Sequence, residues 1–366
     1  MESRRTKTKS YFPILHNCVV NLLGATPTVL SSCVGLGLCS PVLEASELPT
    51  ANEVLEELQI SDSDRQQIRE GNIVTWTATE ASERELVLGM ALLVKTRAKN
   101  LDELFRDATV FKKKSAVMAY GRITSDGALA DFGSLKLEPD GEKEARRYLE
   151  AKPGDDLNLD TKEIAAFRAL KSVIKDGAVP IQKVEALIRE TLLARYQAYH
   201  AKGLAGIAPY ARKNGHQVFA RDELSVASKQ VKLLAKYLPS ISNVLLNYPV
   251  TKIEEGEEFE EQFFWMNAEV QGRPTYELSH RMHFRIGEAS IVVDRHFYIS
   301  HDYNCLQQGV AALPTKDGMV LTYLSRLSTD QVAGFGSSLK RPVARTLMRS
   351  YLMDMLEALQ AKAEKP

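Results

Sequence analysis

Little in this chain of 366 residues marks a particular chemistry. Its 47 basic and 47 acidic residues give a formal net charge of zero, so no overall field steers it toward phosphate backbones. It contains four cysteines, and Cys18, Cys33 and Cys39 all lie in the first 45 residues. The remaining Cys305 has no partner for an internal disulfide. We therefore expect a fold held by its core and no nucleic-acid partner.

The sequence also lacks the spacings of metal and cofactor motifs. The glycine-bearing segment 202–210 does not have the GxxxxGK[ST] spacing of a phosphate-binding loop. His280 and His283 are three residues apart in a predicted strand, so their side chains point to opposite faces and cannot share an ion. We predict no metal, no cofactor and no catalytic residue.

Residues 1–45 differ from the rest of the chain. Four basic residues by position 9 precede a stretch, 11–38, that has no Asp, Glu, Lys or Arg. Basic residues followed by an apolar run are typical of a secretory signal, which predicts a secreted or periplasmic protein. Cleavage after Ala45 is one interpretation, and a lipoprotein anchored at Cys33, in the sequence Leu30-Ser31-Ser32-Cys33, is the other.

The remainder reads as strands, then helices, then strands and a long helix. Strands are predicted over 73–79, 85–96, 116–123 and 132–137, with a helix capped by Asn100 between the second and third. Residues 142–248 show helical periodicity almost throughout. Five runs with turn residues between them, 259–270, 275–286, 290–300, 304–313 and 318–327, predict an antiparallel meander. From 329 to 362 the apolar period becomes helical.

This order of elements resembles the START-like or Bet v 1-type helix-grip superfamily. The resemblance rests on the segment ELVLGMALLVKTRAKNLDELFRDA, on the meander, and on the final segment TDQVAGFGSSLKRPVARTLMRSYLMDMLEAL. It implies an α+β fold in which a curved antiparallel sheet grips the C-terminal helix and encloses an apolar ligand between them. The helix-grip domain would comprise 46–141 and 249–366, with 142–248 as a helical insertion that covers the cavity mouth as a lid.

Candidate ligand contacts follow from polar groups on apolar strand faces and from aromatic residues at sheet spacing. His280 shares a face with Leu278, Met282 and Phe284, either as a core histidine or as a ligand contact, whereas Arg281 and His283 are expected to face out. Arg295 lies on a face with Phe297 and needs an internal carboxylate or a ligand head group as its partner. The complete set of predicted contacts is Arg295, His280, Trp265, Met266, Tyr276, Phe297, Tyr323, Arg326, Phe335 and Leu339.

The favoured hypothesis is binding of a lipid or other apolar small molecule without chemical turnover. Transport of that molecule and contact with a membrane are further expectations. A second hypothesis is an enzyme of the same fold that uses Asp294, His296 or His301 in acid–base roles. A third is an interaction module without a cavity, which a large exposed apolar patch on the helical insertion would indicate.

Overall fold

The computed structural model describes residues 48–107, 109–111, 117–138, 140–154, 156–173, 178–270, 272–334 and 336–365. The expected signal segment, with Cys33, and the candidate contact Phe335 lie outside the described residues. The α-helices are α1 Ala51–Glu57, α2 Asp62–Arg69, α3 Ala98–Phe105, α4 Gly141–Leu149, α5 Thr161–Ala169, α6 Ile181–Lys202, α7 Ala220–Lys229, α8 Lys232–Tyr237, α9 Pro239–Asn247 and α10 Ser337–Ala363. The strands are β1 Val74–Trp76, β2 Glu85–Val94, β3 Val117–Ile123, β4 Tyr210–Ala211, β5 Gln217–Val218, β6 Glu257–Val270, β7 Arg273–Ile286, β8 Ala289–Ile299, β9 Cys305–Thr315 and β10 Gly318–Ser328. Short 3-10 helices span Leu129–Phe132, Leu170–Val173, Gly203–Gly206, Lys213–Gly215 and Asp330–Val332.

Eight strands form one antiparallel sheet in the order β1-β2-β10-β9-β8-β7-β6-β3. Strands β6 to β10 are neighbours in sequence and in space, so the predicted meander is confirmed. β4 and β5 form a separate two-stranded hairpin. The large sheet is open, because β1 and β3 are edge strands that do not pair with each other. The architecture is therefore α+β with an antiparallel sheet and a C-terminal helix, and it is not a closed barrel.

One side of the sheet, which we call the α10 face, is covered by α3 and the second half of α10. Met90, Leu92 and Leu321 point to this side and pack against Leu352 and Leu356 of α10. α3 contributes two further apolar side chains, Leu101 and Phe105. The apolar face predicted along the last helix is therefore buried only in its C-terminal half, from Leu352 onward.

The opposite side, the α9 face, carries α1, α2 and the helices between β3 and β6. α1 and α2 pack over Ala91, Leu93 and Val320, whereas α9 packs over Met282 and Phe284. Since both faces are covered, the expectation that Arg281 and His283 face solvent was wrong. They are 2% and 4% exposed, on the α10 face.

A β-bulge in β8 changes the predicted phase of that strand. Leu278 pairs with Tyr298 and Ser279 pairs with His296, so Phe297 is the extra residue. Tyr298 consequently shares the α9 face with Phe297, instead of lying beside Asp294 and His296 as alternation predicts. A single extra residue moves every later side chain of the strand to the opposite face of the sheet.

Two local predictions were also wrong. The segment 132–137 is not a strand, because the Lys136 carbonyl accepts hydrogen bonds from the Tyr276 hydroxyl and the Asn267 amide instead of joining a ladder. α3 begins at Ala98 after Arg97, and Asn100 lies inside the helix with its amide donating to Thr96. Helices α4 to α9 occupy the segment that the periodicity assigns to helix.

Candidate functional site

An apolar cavity of about 470 Å³ lies on the α9 face, between the sheet and helices α1, α8 and α9. Its floor is made of small residues on three central strands: Gly309 and Ala311 on β9, Ala289 on β8 and Thr322 on β10. Gly309 and Ala311 are only half-buried, although β9 is flanked by strands on both sides. The middle of the sheet is thus left uncovered, because its own side chains are too short to fill the space.

Larger apolar side chains form the walls. Most of them lie in α1, α8 and α9 or directly follow α1 and α8, and β8 supplies β-branched residues around the small floor. The wall residues are Val54, Leu58, Leu233, Leu234, Leu238, Leu245, Ile291 and Val293. The volume falls within the range of about 300–1,000 Å³ that is usual for small-molecule sites.

Helices α1 and α8, which both contribute residues to the cavity lining, are joined by a charged contact. The Lys236 ammonium of α8 is 2.6 Å from the Glu57 carboxylate of α1, and the Tyr237 hydroxyl donates to the same carboxylate. These hydrogen bonds lower the pKa of Glu57. Since α8 has no fully buried side chain, this contact is a main tie between α8 and α1.

One end of the cavity is polar. Arg326 of β10 and Gln307 of β9 lie directly opposite each other in the sheet register, and both line the cavity, as does Trp76 of β1. Arg326 is 4% exposed and pairs with Glu85 at 2.9 Å. The Trp76 indole lies flat over Gly89, where even a methyl group would be 2.1 Å from the ring.

Arg295 lies directly behind this polar end, fully buried. Its guanidinium donates to the Gln307 side-chain oxygen at 2.9 and 3.0 Å, to the Tyr199 and Ser228 hydroxyls, and to the Leu245 carbonyl at 2.6 Å. These acceptors are neutral and belong to β9, α6, α7 and α9. Arg295 therefore fastens three helices to the sheet, and within the described part of the chain none of its hydrogen bonds goes to a carboxylate.

A hydrogen-bonded chain connects Arg295 to a carboxylate further away. Tyr199 accepts from Arg295 and contacts His280 Nδ1 at 3.0 Å, while His280 Nε2 is 2.9 Å from Glu261. A carboxylate only accepts, so Nε2 carries the proton and Nδ1 accepts from the Tyr199 hydroxyl. Burial lowers the pKa of His280, which keeps this imidazole neutral at neutral pH.

The predicted ligand contacts fall into different places. Arg326 lines the cavity, and Arg295 reaches it through Gln307 and Leu245. Phe297 stacks on Tyr199 with ring centroids 4.0 Å apart, next to His280. These positions share the α9 face, so the cavity they approach lies on the side of the sheet opposite to α10.

The other described candidates lie in packed regions or on the surface. Trp265 and Tyr276 are fully buried and donate to the carbonyls of Asp131 and Lys136. Met266 is buried in β6, and Tyr323 packs on the α10 face with its hydroxyl on Gln308. Leu339 is 78% exposed. None of these five lines the cavity described above.

Sequence reasoning missed the small-residue floor and Trp76. Gln307, Gly309 and Ala311 occupy every second position of β9 and therefore share one face of the sheet. Neither glycine nor alanine suggests a ligand contact. The sequence pattern that could have indicated the floor is a buried strand with small residues at successive positions of one face, next to strands rich in valine and isoleucine. Such a face leaves space unless the opposing helices fill it.

The first half of α10 presents a second feature, an exposed apolar stripe of Leu339, Val343 and Leu347, which are 78%, 60% and 67% exposed. They line one side of an open groove whose other side includes Arg212 and Asp330. Arg341 and Arg345 hold this part of the helix to Glu80. The apolar stripe is on α10, whereas the third hypothesis placed one on the helical insertion.

The residues of the enzyme hypothesis occupy two separate contact sets. His296 lies 3.1 Å from Glu277 and 3.7 Å from Asp294 on the α10 face. His301 contacts Asp302, Thr275 and the Pro274 carbonyl instead.

Over the described residues, no three His, Cys, Asp or Glu side chains are placed to hold a metal ion. His280 and His283 lie on opposite faces, paired with Glu261 and Asp102.

Comparisons with protein-family models, with curated proteins and with solved structures found no match to this chain. Of the helices in the described ranges, none combines the length and the apolar character needed to cross a bilayer. Function is therefore inferred from the geometry of the cavity.

Proposed function

We propose that this protein binds an apolar small molecule or lipid in the cavity on the α9 face. The observation that carries the proposal is the half-buried floor at Gly309 and Ala311 in the middle of the sheet. Exposed apolar surface at this depth gains about 25 cal/mol for each Å² that a ligand removes from water. The polar end at Gln307 and Arg326 would fix the ligand's orientation.

The helix-grip resemblance is part of this proposal in a modified form. The sheet, the meander and the packed C-terminal helix agree with it, but the proposed ligand lies on the opposite side of the sheet from α10. Helices α8 and α9 and the N-terminal α1 would then cover the ligand. The lid role predicted for the helical segment would belong to α8.

Filling the cavity tests the proposal. Ala311→Leu and Gly309→Val place new side chains on the floor, and a Cβ at Gly309 would come no closer than 3.4 Å to its neighbours. We expect at least tenfold weaker binding of anilinonaphthalene sulfonate, an apolar fluorescent probe, with an unchanged or raised melting temperature. Extraction of the purified protein, followed by mass spectrometry, should recover an apolar molecule from wild type and less from either variant.

Ala194→Leu is the matched control, because Ala194 is exposed on α6 and away from the cavity. It should bind the probe as wild type does. Equal probe binding by the floor variants and the control, with all of them folded, would show that the cavity is not the binding site.

A second candidate function is contact with an anionic membrane surface through the first half of α10. No acidic residue occurs between Asp330 and Asp354, whereas four basic residues do. Lys340 and Arg349 have no ion-pair partner among the described residues, and Glu80 is shared by Arg341 and Arg345. Basic residues around an exposed apolar stripe favour the surface of a bilayer that contains anionic lipid.

Vesicle co-sedimentation tests this candidate. Wild type should bind phosphatidylcholine vesicles that contain phosphatidylglycerol and should lose most of that binding in high salt. Replacing Leu339, Val343 and Leu347 together by serine should abolish it, whereas Val226→Ser with Val250→Ser, two exposed positions elsewhere, should not. Equal binding by both variants, or self-association of wild type that the first variant removes, would contradict it.

A further inference from the structure

The polar end of the cavity contains donors without acceptors. The buried indole nitrogen of Trp76 and the buried Nε of Arg326 have no hydrogen-bond partner in the described part of the chain. Both residues line the cavity, together with Gln307. A buried donor without a partner destabilises the structure, so two donors at one end of one cavity indicate a missing acceptor.

Gln307 supplies a third donor, and Arg295 determines its direction. The Gln307 side-chain oxygen accepts from Arg295 and from the Ser228 hydroxyl. The amide is therefore oriented with its oxygen toward Arg295 and its nitrogen away from it. That nitrogen donates to no described residue, and Gln307 lines the cavity, so Arg295 acts as a positioning residue for this donor.

The other two donors are also held in place. The remaining nitrogens of Arg326 are engaged by Glu85 and by the Thr79 carbonyl. The Trp76 ring lies across Gly89 on β2, and β10, with Arg326, is the next strand beyond. All three residues line the cavity and are fixed in position, which lowers the cost of ordering them around a bound acceptor.

The balance of charge distinguishes a neutral acceptor from an anion. Arg326 is neutralised by its contact with Glu85, but Arg295 donates only to neutral acceptors and reaches Glu261 only through Tyr199 and His280. This leaves an excess of positive charge behind the polar end, in a region of low dielectric where an ionised ligand would interact strongly.

From these observations we infer that the ligand is a monoanionic amphipathic molecule, with a carboxylate bound by Trp76, Arg326 and Gln307 and an apolar chain over Gly309 and Ala311. The inference rests on the proposed function, which names the cavity but no head group. Two carboxylate oxygens offer enough lone pairs to accept from all three donors.

Titration calorimetry with decanoate and with methyl decanoate tests the head group, because the two share a chain and differ in charge. We expect decanoate to bind at least tenfold tighter. Trp76→Phe, which keeps an aromatic ring over Gly89 and removes the N–H, should weaken decanoate binding several-fold. Trp265→Phe is the matched control, since that indole donates to Asp131 at 2.6 Å and lies outside the cavity lining.

The outcomes separate the two proposals. Equal affinities for the ester and the acid, or decanoate binding unaffected by Trp76→Phe, would overturn the anionic head group while leaving an apolar site in place. Absence of binding for both compounds to folded wild type, with the fluorescent probe also unbound, would overturn the proposed function itself.

Discussion

Asp294 is the residue whose ionisation the fold depends on most clearly. It is buried on the α10 face, 3.1 Å from Arg281, whose guanidinium also donates to the carbonyls of Phe105 and Asp107. Burial alone would raise the pKa of Asp294, but the charge of Arg281 and the nearby His296 outweigh it and hold the pKa well below its usual value. The carboxylate therefore stabilises the folded state in its charged form.

We predict that Asp294→Asn lowers the free energy of unfolding at neutral pH by about 3–5 kcal/mol, because it leaves Arg281 buried without its counter-charge. A carboxyl with a depressed folded pKa contributes stability above its unfolded pKa and loses it as pH falls toward the folded value. The difference in the free energy of unfolding between wild type and variant should thus become smaller below about pH 4. Urea denaturation over a pH series measures it.

Glu258→Gln is the control for this prediction. Glu258 pairs with Arg285 at the surface and is 67% exposed, so its loss should cost less than about 1 kcal/mol. If Asp294→Asn costs no more than this control, or if its cost does not change with pH, the buried pair does not have the role described.

At the scale of elements, α8 is the segment best placed to open. Its leucines are partly buried over the cavity, and Lys236 and Tyr237 tie it to Glu57 of α1. Elements with few buried contacts open at low free-energy cost. A ligand enclosed beneath α8 would leave when these contacts break.

We predict that Glu57→Gln speeds release of a bound apolar probe several-fold and raises amide hydrogen exchange in 232–237, with little change in melting temperature. Stopped-flow fluorescence and exchange mass spectrometry measure the two effects. Glu56→Gln is the matched control, since Glu56 is the neighbouring residue and pairs with Arg65. Identical release rates for the two variants would place the exit route elsewhere.

The strands and helices could largely be predicted, because periodicity is a local property. The five meander strands begin and end within two residues of their predicted bounds. The bulge at Phe297 could not be predicted, because the β-strand pattern of β8 continues without interruption in the sequence. Nor could the 3-10 turn at Leu129–Phe132, where buried Phe132, Leu135 and Leu137 imitate a strand pattern.

At the scale of the whole molecule, the important unpredicted fact is that helices cover both faces of the sheet. A sheet with one solvated face has a clear inside and outside, and the expectation for Arg281 and His283 assumed one. Covering both faces buries Arg281 and Asp294 on one side, and His280 and Arg295 on the other. The cavity then depends on which helices leave space over small strand residues, and local sequence does not encode that.

Trp76 and Trp265 are the two tryptophans of the chain, and they differ sharply in surroundings. Trp265 is sealed in the core and bonded to a carbonyl, whereas Trp76 forms part of the cavity wall. The protein thus contains its own optical reporter of occupancy. In a chain that keeps only Trp76, the colour and intensity of indole emission would record the arrival of a ligand without any added label.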